Sequence, residues 1–151
     1  MGMMDIFKKA YDRQEAAQAV YDKATETEKE VLRNEYSEMM NEVENACENS
    51  EDKRAAIQLW HAYETMRERG NKYMDFDMVD EDRAAELAHA MKENGVKTFT
   101  YSSSWSSAVN TALIFKEMGY RVTDVVEINS GHVAWGDERA EKIPAYVFTI
   151  D

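Results

Sequence analysis

Residues 97–128 read KTFTYSSSWSSAVNTALIFKEMGYRVTDVVEI, and this stretch decides the fold. Residues 97–101 are rich in β-branched and aromatic side chains, the composition of a strand. Five serines, Ser102, Ser103, Ser104, Ser106 and Ser107, then surround Trp105. An apolar helical run is expected to follow, with Trp105, Ala108, Val109, Ala112, Leu113 and Phe115 covering much of its girth and Ile114 adding breadth, and it closes on Gly119. Ser103 or Ser104 is the expected cap of that helix, because a serine hydroxyl accepts a free backbone N–H at a helix start. From Tyr120 a second strand alternates, Tyr120, Val122, Val126 and Ile128 on one side and Arg121, Thr123, Val125 and Glu127 on the other.

Downstream, Ser130 and Gly131 turn the chain, and residues 132–135 are expected to extend a ribbon. The closing AYVFTI (residues 145–150) puts Tyr146, Phe148 and Ile150 on one face, with Pro144 suited to a strand start. It is the most apolar strand and is expected at the centre, antiparallel to both others. Upstream, a helix over 81–93 stops at Asn94-Gly95-Val96, a left-handed glycine followed by an apolar residue. The C-terminal half therefore reads αβαββ: an α+β unit with a three- or four-stranded antiparallel sheet, residues 132–135 giving the fourth strand.

The N-terminal half reads as a three-helix array. Phe7, Ala10, Ala17, Val20 and Ala24 form the first stripe. Leu32, Tyr36, Met39, Val43 and Ala46 form the second, behind a capping box expected at Thr27 and Glu30. Ala56, Leu59, Trp60, Tyr63 and Met66 form the third, with Ser50 as the expected cap and Gly70 as the stop. The organisation is thus a helical region over 1–70, a packed crossing over 71–79 and an α+β region over 80–151, expected to fold as one cooperative unit. The crossing interleaves Tyr73, Met74, Phe76 and Met78 with Asp75 and Asp77, so it should lie against the protein. Its acids lack the spacing of a calcium loop.

Composition narrows function further. The 151 residues carry a net charge of −12, and residues 1–82 hold 21 acids against 11 bases. Such a field repels nucleic acid and anionic membranes, whose phosphates need Lys or Arg, and attracts a basic protein surface. One cysteine, Cys47, excludes an intramolecular disulfide and fits a buried apolar role. No apolar run approaches the roughly 18 residues of a membrane span, and the first residues lack a signal-peptide core, so a cytoplasmic location is expected. The three histidines, His61, His89 and His132, stand far apart, with no HExxH or CxxC, so no metal, cofactor or catalytic residue is assigned.

The run FTYSSSWSSAVNTALIFKEMGYRVTDVVEIN, with AYVFTI, resembles small proteins of mobile elements in gut Firmicutes. The resemblance implies a small acidic protein acting against host defences, of the anti-CRISPR or anti-restriction kind. The leading expectation is a non-enzymatic protein-binding module whose face includes Glu35, Glu38, Glu42, Glu51, Asp52, Trp105 and Trp135. It would dock on a basic, nucleic-acid-binding surface, contacting neither nucleic acid nor membrane itself. One alternative is a small-ligand sensor or enzyme using the 102–107 serine turn as an anion site, although neither GxxxxGK[ST] nor GxSxG is present. Another is a regulatory homo-oligomer joined through the Met- and Tyr-rich helices.

Overall fold

The computed structural model describes residues 2–133 and 140–151. The chain divides into two compact units, residues 1–56 and 57–151. In the first, α1 (Met3–Tyr21) packs against α2 (Glu26–Glu48), and the short connection makes them antiparallel. Phe7, Ala10 and Tyr11 of α1 and Met39, Val43 and Cys47 of α2 are buried, at helical spacing. The cap of α2 is Thr25 rather than Thr27: its hydroxyl accepts from the Glu28 N–H at 3.2 Å and donates to the Glu28 carboxylate at 3.0 Å. Thr-Glu-Thr-Glu-Lys-Glu holds two overlapping T-x-x-E frames, and using the earlier one lengthens the helix, each residue adding a backbone bond.

Asp52, not Ser50, begins α3 (Lys53–Arg69), its carboxylate accepting from the Ala55 N–H at 3.1 Å. The negative charge complements the helix dipole there, while Ser50 turns back and donates to the Cys47 carbonyl at 2.5 Å, closing α2. Helix α3 runs without interruption through the division between the two units.

The second unit contains β1 (Asp75–Phe76), a 3-10 turn (Glu81–Arg83) leading into α4 (Ala84–Glu93), β2 (Thr98–Tyr101), α5 (Ala108–Glu117), β3 (Arg121–Val133) and β4 (Ala140–Thr149). The architecture is α+β. The sheet runs β1-β2-β4-β3, and β4 lies between β2 and β3, antiparallel to both, as its apolar content predicts. A fourth strand exists, but it is β1 in the crossing, parallel to β2, so the sheet is mixed rather than wholly antiparallel. His132 belongs to β3, and Trp135 lies outside the described residues. Two residues are too few to display alternation, and β1 forms because its edge pairs with β2.

Three helices stop alike. Gly70, Gly95 and Gly119 have φ of 69°, 72° and 104°. The next residue's N–H then reaches five residues back, from Asn71 to Met66 (3.1 Å), Val96 to Met91 (2.8 Å) and Tyr120 to Phe115 (3.1 Å).

The core gathers on Phe99 of β2. Its ring lies 5.3 Å from Phe148, 5.1 Å from Phe115, 5.0 Å from Tyr120 and 5.6 Å from Phe76, centroid to centroid. The Tyr120 hydroxyl donates to the Val96 carbonyl at 2.6 Å, and burial pushes its phenol pKa up to about 12. Asn129 ties β3 to the end of α3. It donates to the Arg69 carbonyl at 2.8 Å and exchanges two bonds with the Asn71 side chain at 2.9 and 3.0 Å. Gly131 fits here because a Cβ would stand 2.6 Å from Arg69 Nε.

Two features depart from simple alternation. The β3–β4 register shifts between Val122 and Asp124, so Val122 opposes Phe148 and Val125 opposes Tyr146. Val122 and Val125 therefore share a face, and Val126 and Ile128 take the other, because one inserted residue reverses every later side chain. Helix α5 begins at Ala108, after the serines, and Ser107 at its N-cap makes no side-chain cap bond. Ser103 instead accepts from the Trp105 N–H at 3.2 Å, a local turn that competes with helix.

Candidate functional site

The serine turn opens onto a cleft of about 610 Å³ in the second unit. The end of β2 supplies Tyr101, and the turn supplies Ser102, Ser103, Ser104 and Trp105. Asp77 and Met78 come from the segment after β1, Val125 from β3, and Ile143, Pro144, Ala145 and Tyr146 from β4. The bulge in β3 places Val125 here, since unbroken alternation would send it to the opposite face. Trp105, Met78, Val125 and Tyr146 are 43%, 67%, 60% and 51% exposed, whereas Tyr101 is buried. These are large apolar side chains from four parts of the chain, open to water in one cleft.

Behind the turn sits a hydrogen-bonded carboxylate. Ser102 Oγ donates to Asp75 Oδ2 at 2.5 Å, and Thr100 Oγ1 donates to Asp75 Oδ1 at 2.7 Å. Burial holds the Asp75 pKa above its ordinary value. The two hydroxyls and Arg69 pull it back, and Asp77 pushes it further up. The arrangement fixes β1 and the serine turn to one carboxylate. Ser102 thus donates inward, and Ser103 accepts from the turn's own backbone. Ser104 is exposed, and Ser106 and Ser107 do not line the cleft. Among the described residues, the charge of the lining is one carboxylate, Asp77, with no Lys, Arg or His.

The other expected face lies in the first unit. Glu38 and Glu42 are exposed on α2 and Glu35 is half-buried beside them; Glu51 is exposed, and Asp52 caps α3. Sequence reading found Trp105 and the serines but not Asp77, Met78, Val125 or Tyr146 as their neighbours. The one sequence signal was the interleaving of acids with large apolar residues over 73–78.

Elsewhere, His61 pairs with Glu64 at 3.3 Å; burial raises the Glu64 pKa and the His61 contact opposes it. Burial raises the Cys47 pKa as well, outweighing Lys53, which suits an inert thiol. Among the described residues, no group of three or more His, Cys, Asp or Glu is placed to hold a metal, and no helix is long and apolar enough to cross a membrane.

The chain belongs to the family described as a domain of unknown function, DUF7698, which matches residues 58–150. That span coincides almost residue for residue with the second compact unit, so the cleft lies wholly within the family domain. No curated protein and no solved structure matches the chain.

Proposed function

We propose that the protein is a non-enzymatic module that binds a basic protein surface. The observation that carries this reading is the cleft: Met78, Trp105, Val125 and Tyr146 part-exposed together, with Asp77 the one charged side chain among the described lining residues. Soluble proteins seldom leave such side chains grouped in water unless a partner covers them, and aromatic residues are favoured at interface cores. The net charge of −12 supplies long-range attraction to a basic partner, with Glu35, Glu38, Glu42 and Glu51 adding exposed or half-exposed acids. In its finer form the partner's surface is one that otherwise holds nucleic acid. The protein is then an inhibitor or accessory protein of a mobile element, of the anti-CRISPR or anti-restriction type, acting in the cytoplasm.

The test begins with affinity capture of the partner from the host, followed by association kinetics. The Debye length shrinks from about 30 Å at 0.01 M salt to about 8 Å at 0.15 M, so the on-rate should fall steeply across that range. Converting Glu35, Glu38 and Glu42 together to Lys should slow association and leave the melting temperature nearly unchanged, since exposed charges add little stability. Nucleic acid should compete for the same partner surface. A partner whose binding ignores salt, charge reversal and nucleic acid would defeat the proposal and leave solubility as the role of the charge.

A further inference from the structure

We infer that the cleft beside the serine turn receives an arginine side chain of the partner. The inference rests on the basic-partner reading and specifies its contact. Trp105 and Tyr146 give the cleft part-exposed aromatic surfaces, and Asp77 gives it a carboxylate. A guanidinium is attracted to an aromatic face and can offer paired N–H donors to a carboxylate, which an ammonium cannot match. The methylene stem of arginine is apolar and suits Met78 and Val125.

Other occupants fit less well. Among the described residues of the lining an anion would meet the Asp77 carboxylate and no cation, and the Ser102 hydroxyl already donates to Asp75. A wholly apolar segment would take Asp77 out of water without a partner, which is costly. A second copy of the chain brings another net charge of −12. The volume, about 610 Å³, is that of a pocket for side chains and small ligands.

The experiment is an NMR titration of the full chain with the blocked peptide Gly-Ser-Arg-Ser-Gly. Versions carrying citrulline or glutamate in place of arginine, and inorganic phosphate, serve as comparison probes. The arginine peptide should shift the Trp105 indole, Val125, Tyr146 and Asp77 signals. Neutral citrulline keeps the shape and removes the charge, and should bind several-fold more weakly. Asp77→Asn should weaken the arginine peptide about two- to fivefold, the range of an exposed ion pair. Trp105→Leu should weaken it about three- to tenfold through loss of the ring. Both positions are exposed, and each variant's melting curve verifies that it is folded.

Equal binding of the citrulline peptide would overturn the inference, as would cleft shifts with the glutamate peptide or phosphate, which would favour the anion reading. Shifts confined to Glu35, Glu38 and Glu42 would overturn the cleft assignment while leaving the basic-partner reading standing. Absence of any shift would overturn it too, and the broader reading would then rest on the salt and charge-reversal measurements alone.

Discussion

Asp75 shows how one residue joins parts of the chain that the sequence keeps apart. Thr100 and Ser102 lie 25 and 27 positions away, yet both donate to its carboxylate. Sequence spacing could reject Asp75 as a calcium ligand, but could not reveal this pairing, which depends on β1 lying beside β2. Burial raises its folded pKa above the unfolded reference of 3.8. The sign follows by linkage: the contribution to stability is full below the unfolded pKa and is lost as pH rises through the raised folded value. Asparagine does not titrate. The stability of Asp75→Asn relative to the natural chain should therefore move in the variant's favour as pH rises above the unfolded value of 3.8, whatever the fixed cost of altered hydrogen bonds. Denaturant midpoints across that rise measure it, and a difference that stays flat or moves the other way would contradict the burial argument.

Elements were legible where a repeated pattern specifies them. The apolar run at 145–150 implied a central strand, and β4 is central. The three glycine stops rest on backbone geometry that few other residues adopt, and composition alone located them. Legibility failed where one residue changes the phase or two overlapping signals compete. The bulge near Thr123 is a single insertion, and it transfers Val125 from the opposite face to the cleft. The serine run contains several possible caps, and the choice depends on hydroxyl partners rather than on residue type. Ser103 holds the turn through the Trp105 N–H, whereas the Ser104 side chain is exposed. Ser103→Ala should thus cost about 0.5–1 kcal/mol, the low end for loss of a cap-like bond, and Ser104→Ala should cost close to nothing. Equal losses in chemical denaturation would show that both serines act together. The cleft itself was half legible: Trp105 and the serines are contiguous, but Asp77 and Tyr146 reach it only through the sheet order.

At the scale of the whole molecule, the question is whether two compact units melt together. The sequence suggested a join over 71–79, where large apolar residues alternate with acids. The division between the two compact units falls at residues 56 and 57, inside α3. That helix holds no glycine or proline from Lys53 to Arg69. Fraying one end removes backbone bonds that support the next turn, and helix formation is cooperative for that reason. We therefore expect a single transition for the intact chain, with calorimetric and van't Hoff enthalpies in agreement. Cutting after Arg69 should leave both pieces poorly folded. The piece beginning at Gly70 loses the part of α3 that belongs to its own unit, including the Arg69 carbonyl that accepts from Asn129 at 2.8 Å. It also loses the Gln58 side chain, which donates to the Met78 carbonyl at 3.3 Å beside the cleft. The piece ending at Arg69 keeps three helices but loses the Gly70 stop and the return bond from Asn71 to Met66. Two fragments with sharp, independent melting transitions would sink this expectation and make the helix a passive tether. A single transition in the intact chain, together with unfolded fragments, would place the cleft's stability under the control of residues as far upstream as the start of α3.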